Sequence, residues 1–213
     1  MTQTVSTRFG GFCGVASALI VIPAYVVGSP ETPKTPADVG DYYEDASSFI
    51  TANGTLPLLH ILFGLIFLAV LVSLLRAVSG PTADVYLLLV SGTVFIALTA
   101  AGLAAEVARP AAISRFGGVA VAGSDQSFLM LAVWLYHYSQ IAAAVMIFAA
   151  SVAIERTSAL PKWASVGALL GILPLFHTWV GITATYCTVA WVAAIGLVML
   201  VFPARESAES PAT

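Results

Sequence analysis

Six stretches of the chain are nearly free of charged residues, and each is about as long as a helix that crosses a lipid bilayer. The hydrocarbon core is about 30 Å thick and an α-helix rises about 1.5 Å per residue, so a crossing needs about 20 apolar residues. The stretches that meet this requirement are 9–27, 56–75, 85–105, 127–154, 160–179 and 183–202. This pattern predicts an all-α fold, a polytopic transmembrane bundle of six spans in one domain over residues 1–205. The fifth span is the weakest, because Pro161 and Lys162 begin it and Pro174 interrupts it.

The longest polar stretch, residues 28–55, carries a helical pattern of its own. Thr35 and Pro36 are typical of a helix start and Gly54 of a helix end. Apolar residues recur at helical spacing along one face, and the opposite face is acidic because it holds Asp38, Asp41, Glu44 and Asp45. The pattern predicts a short amphipathic helix over about 36–53 on the extracytoplasmic side. Anionic lipid headgroups would repel its acidic face, so we expect it to pack on the bundle as a lid. The alternative is a docking site for a partner or a cation.

Composition supports this class of protein. Of the 213 residues 59% are apolar and only 9% are charged, and the mean hydropathy is +0.96, which excludes an ordinary soluble domain. The net charge of −3 comes without a long basic run, so nucleic acid is not an expected partner. Cys13 and Cys187 lie in separate apolar stretches and are typical of buried small residues. Residues 206–213 are expected to form a disordered cytoplasmic tail.

The positions of the basic residues predict how the bundle is oriented. Basic residues beside a span are retained on the cytoplasmic side. If the N-terminus is cytoplasmic, the inner segments hold Arg8, Arg76, Arg156, Lys162 and Arg205, whereas the outer ones hold only Lys34, Arg109 and Arg115. We therefore expect both termini in the cytoplasm of a bacterium and the spans in its plasma membrane. The first span could instead be a cleaved signal peptide, but its apolar run is longer than the usual h-region of about 7–15 residues.

Few residues within the spans can carry chemistry, and each is a functional candidate because polar groups are costly in hydrocarbon. The candidates for ligand binding or proton relay are His60, Glu106, His137, Gln140 and His177. Counted from the span ends, the histidines fall in the outer half of the membrane and Glu106 falls at the mouth of the third span. His137 and Gln140 share one helix face. If these faces converge, they form an outward-open polar pocket beneath the acidic helix.

Three functions are compatible with such a pocket. The favoured hypothesis is an accessory or structural protein, in which the polar residues hold helices together and the partner is another membrane protein or a second copy of the chain. The alternative is a small-solute or proton-coupled transporter, and the third is a protein that binds haem or a metal through two histidines. Motifs of hydrolases and phosphate-binding loops are absent, so no catalytic residue is predicted. Gly167 and Gly171 form a weak helix-packing motif.

Several short motifs resemble those of a known group of proteins. They are Thr35-Pro36-Ala37 followed by Tyr42-Tyr43-Glu44-Asp45, the span 59–75 ending at Arg76, and the stretch from Glu155 to Trp163, which is similar to an Arg-Thr-x-x-Leu-Pro-x-Trp pattern. Together they resemble a family of uncharacterised six-span membrane proteins that is abundant in actinobacteria. The resemblance covers most of the chain and implies a bacterial plasma-membrane protein. It implies no established activity, cofactor or catalytic residue.

Overall fold

The computed structural model describes residues 3–27, 49–116 and 122–202, and helices make up almost all of these residues. The long helices are α1 (Gln3–Val27), α2 (Leu56–Ser79), α3 (Ala83–Phe116), α4 (Ala122–Thr157) and α7 (Ile182–Val201). A π-helical turn, Thr51–Thr55, leads into α2. Between α4 and α7 lie a 3₁₀-helix (Lys162–Gly171) and two short helices, α5 (Ile172–Leu175) and α6 (His177–Val180). No strand occurs in the described ranges, which confirms the predicted all-α class.

Five helices are long and apolar enough to cross a membrane. They are α1, α2 with its preceding turn, α3, α4 and α7, and they coincide with five of the six predicted spans. Several of them extend beyond the predicted spans, most of all α3, which continues to Phe116, and α4, which begins at Ala122. Length and composition therefore indicate a membrane helix bundle.

The predicted amphipathic helix can be followed only at its end. Residues 36–48 lie outside the described residues, as does the predicted tail at 206–213. Phe49 and Ile50 are helical, and the helical backbone passes through the π-helical turn into α2. Gly54 therefore does not end this helix as its residue type predicted. A π-helical turn widens the backbone locally, which changes the direction in which its side chains project.

The remaining predicted span, residues 160–179, is not one continuous α-helix, and it lies beside α4 from Glu155 to His137. Near one end the hydroxyl of Ser165 donates to Glu155 Oε2 over 3.0 Å, and at the other end the His177 ring meets that of His137. Between these two contacts the segment uses 12 residues, from 165 to 177, whereas α4 uses 18, from 155 to 137. A 3₁₀-helix rises about 2.0 Å per residue against about 1.5 Å in an α-helix, so fewer residues cover the same length.

The two glycines of the predicted packing motif face different neighbours. A Cβ added to Gly167 would lie 3.1 Å from the Trp191 ring of α7, and one added to Gly171 would lie 3.0 Å from Ile147 of α4. In an α-helix, residues four apart share a face, but in a 3₁₀-helix with three residues per turn they point about 120° apart. The motif therefore packs the 3₁₀-helix between α4 and α7 and does not form a single contact face.

Backbone contact between α1 and α7 closes the bundle. A Cβ added to Gly11 would lie 2.6 Å from the carbonyl oxygen of Gly196, and a Cβ added to Gly196 would lie 2.8 Å from that of Gly11. The Tyr25 and Tyr186 rings meet nearer the C-terminal end of α1, with centroids 6.3 Å apart, so the two helices are antiparallel. The space between the helices therefore leaves no room for a Cβ at either glycine, because a backbone oxygen cannot rotate away as a side chain can.

We expect Gly11→Ala and Gly196→Ala each to destabilise the protein. Overpacking a tight contact costs about 1–3 kcal/mol, and the better helix propensity of alanine returns at most about 1 kcal/mol of this. Thermal unfolding in detergent measures the effect as a lower midpoint. The control is Ala97→Ser, which adds one heavy atom at an exposed position of α3. Equal midpoints for all three variants and the unchanged protein would contradict a backbone contact.

Candidate functional site

The five predicted site residues lie toward one end of the bundle, where α1 ends and α7 begins. Glu106, Gln140 and His177 are almost fully buried there, His60 is buried and His137 is half-buried. Four of them form three groups: a carboxylate centre at Glu106, a link between α1 and α2 at His60, and a histidine pair formed by His137 and His177. The fifth, Gln140, bonds to α7.

Glu106 of α3 is the centre of a hydrogen-bonded group drawn from three elements. Its side chain is 2% exposed. Its Oε2 accepts one hydrogen bond from Asn53 Nδ2 and one from the hydroxyl of Tyr136 on α4, each 3.0 Å long. A buried carboxyl group needs such partners because its desolvation is otherwise uncompensated. The group therefore fixes α3 and α4 to the turn that precedes α2.

Two local features bring these partners to Glu106. Gly102 lies one turn before Glu106 on the same face of α3, and a Cβ there would lie 2.9 Å from the Tyr136 ring. The absence of a side chain lets the Tyr136 ring lie close to α3. Asn53 lies within the π-helical turn and is 1% exposed. Such turns often occur at functional positions, because the wider backbone redirects a side chain.

His60 is engaged with α1. Its Nδ1 lies 3.0 Å from the carbonyl oxygen of Ser17 and 2.9 Å from the Ser17 hydroxyl oxygen. The same hydroxyl donates to the carbonyl oxygen of His60 over 2.9 Å. Because a carbonyl oxygen only accepts, Nδ1 is assigned the proton, which leaves Nε2 as an acceptor in the neutral ring. His60 therefore joins α1 to α2.

A small cavity lies beside His60, and Tyr25, Thr185 and Thr188 are among the residues that line it. Its free volume is about 10 Å³, which is room for about one water molecule. Thr188 also donates to Gln140 Oε1 over 2.8 Å, a bond that joins α7 to α4. In the described residues, bonds between helices thus surround a space the size of about one water molecule.

His137 and His177 form the third group and lack comparable bonds. Their ring centroids are 4.8 Å apart with the planes at 67°. Nδ1 of each ring is buried and has no hydrogen-bond partner. Trp134 packs against His137 with a centroid distance of 5.3 Å. Two imidazoles with unpaired nitrogens are able to ligate a metal ion. The described residues hold no group of three or more His, Cys, Asp or Glu side chains suited to a metal.

The structure therefore pairs two of the predicted histidines, His137 and His177, and places His60 elsewhere. Ser17, Asn53, Tyr136 and Thr188 were not predicted as partners of these residues. Small hydroxyl and amide residues in apolar spans are the signal that could have found them, since such side chains often bond across helices. No family model matches the chain, and no curated protein or solved structure matches it either.

We expect Tyr136→Phe to destabilise the protein by about 1–3 kcal/mol, because it removes a hydrogen bond to a buried carboxyl group. Thermal unfolding in detergent measures the change. Tyr138→Phe is the matched control, since Tyr138 lies on the same helix with 57% of its surface exposed and should change stability by less than about 0.5 kcal/mol. Equal effects of the two substitutions would show that the Tyr136 hydroxyl does not hold Glu106.

Proposed function

We propose that this chain is an accessory or structural protein of a bacterial plasma membrane, with six spans and both termini in the cytoplasm. It acts through helix contacts with another membrane protein or with a second copy of itself, and it performs no catalysis. The family resemblance of its motifs agrees with this proposal, although that family has no established activity to transfer.

Hydrogen bonding between the buried polar side chains of different elements is the observation that carries the functional part of the proposal. His60, Glu106 and Gln140 each form hydrogen bonds with a side chain on another element. A transporter, the alternative, needs a solute-sized space in which such groups face the ligand. The cavity beside His60 holds about one water molecule. These polar groups therefore serve the assembly of the bundle better than the passage of a solute.

In this proposal the segment 162–180 is also a span, the fifth along the chain, and it brings the number of spans to six. Ten 3₁₀ residues and about eight helical residues together rise about 32 Å, which matches a hydrocarbon core of about 30 Å. Trp163 at its start is 58% exposed and Trp179 at its end is 83% exposed, and tryptophan is enriched at both membrane interfaces. Arg156 and Lys162 beside Trp163 favour a cytoplasmic start. Arg156 also forms an ion pair with Asp84 over 3.3 Å, which ties α4 to the start of α3.

Labelling of single cysteines tests this topology. In a background with Cys13→Ala and Cys187→Ala, we expect a membrane-impermeant maleimide to label Thr183→Cys in intact cells. Ser158→Cys and Thr82→Cys should react only after the membrane is opened, because the proposal puts them on the cytoplasmic side. If Ser158→Cys and Thr183→Cys react from the same side, the segment between them does not cross and the six-span topology is wrong.

Native mass spectrometry of the gently solubilised protein tests the accessory function. We expect a defined stoichiometric complex with a second copy or with one membrane subunit, and we expect His60→Ala to leave that stoichiometry unchanged once folding is verified. A bare monomer that carries a small solute, with the solute lost in Glu106→Gln, would replace the proposal with the transporter alternative. The complex and the solute differ in mass, so one spectrum separates the two outcomes.

A further inference from the structure

The unpaired nitrogens of the histidine pair are the feature that the proposed function leaves unexplained. His177 is 2% exposed and His137 is half-buried, yet Nδ1 of both rings is buried without a partner. Elsewhere at this end of the bundle, the buried His60, Glu106 and Gln140 have hydrogen-bond partners. Buried polar atoms in native proteins are nearly always satisfied by protein, water or an ion, so an unpaired pair calls for a ligand.

The spacing of the rings fits a shared metal ion. A metal lies about 2.0–2.1 Å from a ligating imidazole nitrogen, and hence about 3.2 Å from the ring centre. Two ring centres at 4.8 Å then subtend an angle of about 100° at the ion, close to that of tetrahedral ligands. A haem held between the two rings requires them on opposite sides of the iron, with centres about 6 Å apart and a porphyrin between them. The observed contact is too close for haem.

We propose that His137 and His177 form a binding site for one transition-metal ion of the class that prefers imidazole, such as copper or zinc. Both imidazoles ligate in their neutral form, and water completes the coordination. The site goes beyond the accessory function and does not depend on it. Neither histidine takes part in the hydrogen bonds that join His60, Glu106 and Gln140 to other elements. A metal ion bound by both rings joins α6, which carries His177, to α4, which carries His137.

The backbone around His177 positions its ring for this role. Pro174 lies in α5, which ends at Leu175, and after Phe176 the chain continues as α6 from His177. Gly181 then ends α6 with a φ of +60°, and its N–H donates to the His177 carbonyl oxygen over 2.8 Å. Glycine tolerates this left-handed conformation without strain. On the other side, the Trp134 ring packs edge to face against His137 and limits its rotation.

Copper binding tests the site directly. The full chain is purified through a tag without histidine and titrated with Cu²⁺, and electron paramagnetic resonance reports the nitrogen ligands of the bound ion. We expect one tightly bound ion per chain with hyperfine structure from two imidazole nitrogens, displaced by excess Zn²⁺. Loss of an outer-shell partner of a metal ligand typically costs about 10–100-fold in affinity, so His137→Ala and His177→Ala should each weaken binding at least about 10-fold.

His60→Ala is the matched control, because it removes a histidine at the same end of the bundle that is bonded to Ser17. It should keep both the affinity and the two-nitrogen signal. Thermal unfolding of each variant without metal verifies folding, and Cu²⁺ should raise the midpoint of the unchanged protein and of His60→Ala only. Equal binding by all variants, or a signal from fewer than two imidazoles, would overturn the site. Neither result would alter the oligomer measured by native mass spectrometry, so the two proposals fail separately.

Discussion

The backbone contact of α1 with α7 is the constraint on which the other arrangements depend. Gly11 and Gly196 bring the two helices together with no side chain between them. Because the helices are antiparallel, the contact also sets the level at which Tyr25 meets Tyr186 and at which Thr185 and Thr188 face His60. Helices without a hydrophobic drive toward one another associate through close packing of small residues and through hydrogen bonds. In this bundle small residues pack α1 against α7, and hydrogen bonds join α1 to α2 and α7 to α4.

The polar end of the bundle is organised by pairs that each join two or more elements. Asn53 and Tyr136 meet at Glu106, Ser17 meets His60, and Thr188 meets Gln140. Each pair satisfies groups that would otherwise be buried at a cost, and each also fixes the rotation of the helices that carry it. Specific packing at this end thus comes from polar contacts, whereas elsewhere in the described residues a continuous apolar cluster fills the space between the helices.

Hydropathy alone predicted the all-α class and five of the long helices, because a run of about 20 apolar residues has few other structural solutions. It could not predict the form of segment 162–180, since the choice between 3₁₀ and α geometry depends on the length that α4 imposes. Hydropathy could not predict which site residues meet either. His137 contacts His177, whereas His60 bonds to Ser17. These contacts depend on the rotation of each helix, which one histidine per helix does not reveal. The partner Asn53 was hidden for the same reason, because only the π-helical turn directs it toward Glu106.

The 3₁₀ geometry also sets the length of the segment 162–171. If its ten residues rewound as an α-helix, the segment would shorten by about 5 Å, and its far end would turn by about 200° relative to its start. Gly167 and Gly171 would then lie on nearly the same face, and His177 would leave the level of His137. The contact between the two histidines therefore depends on the 3₁₀ geometry of residues 162–171.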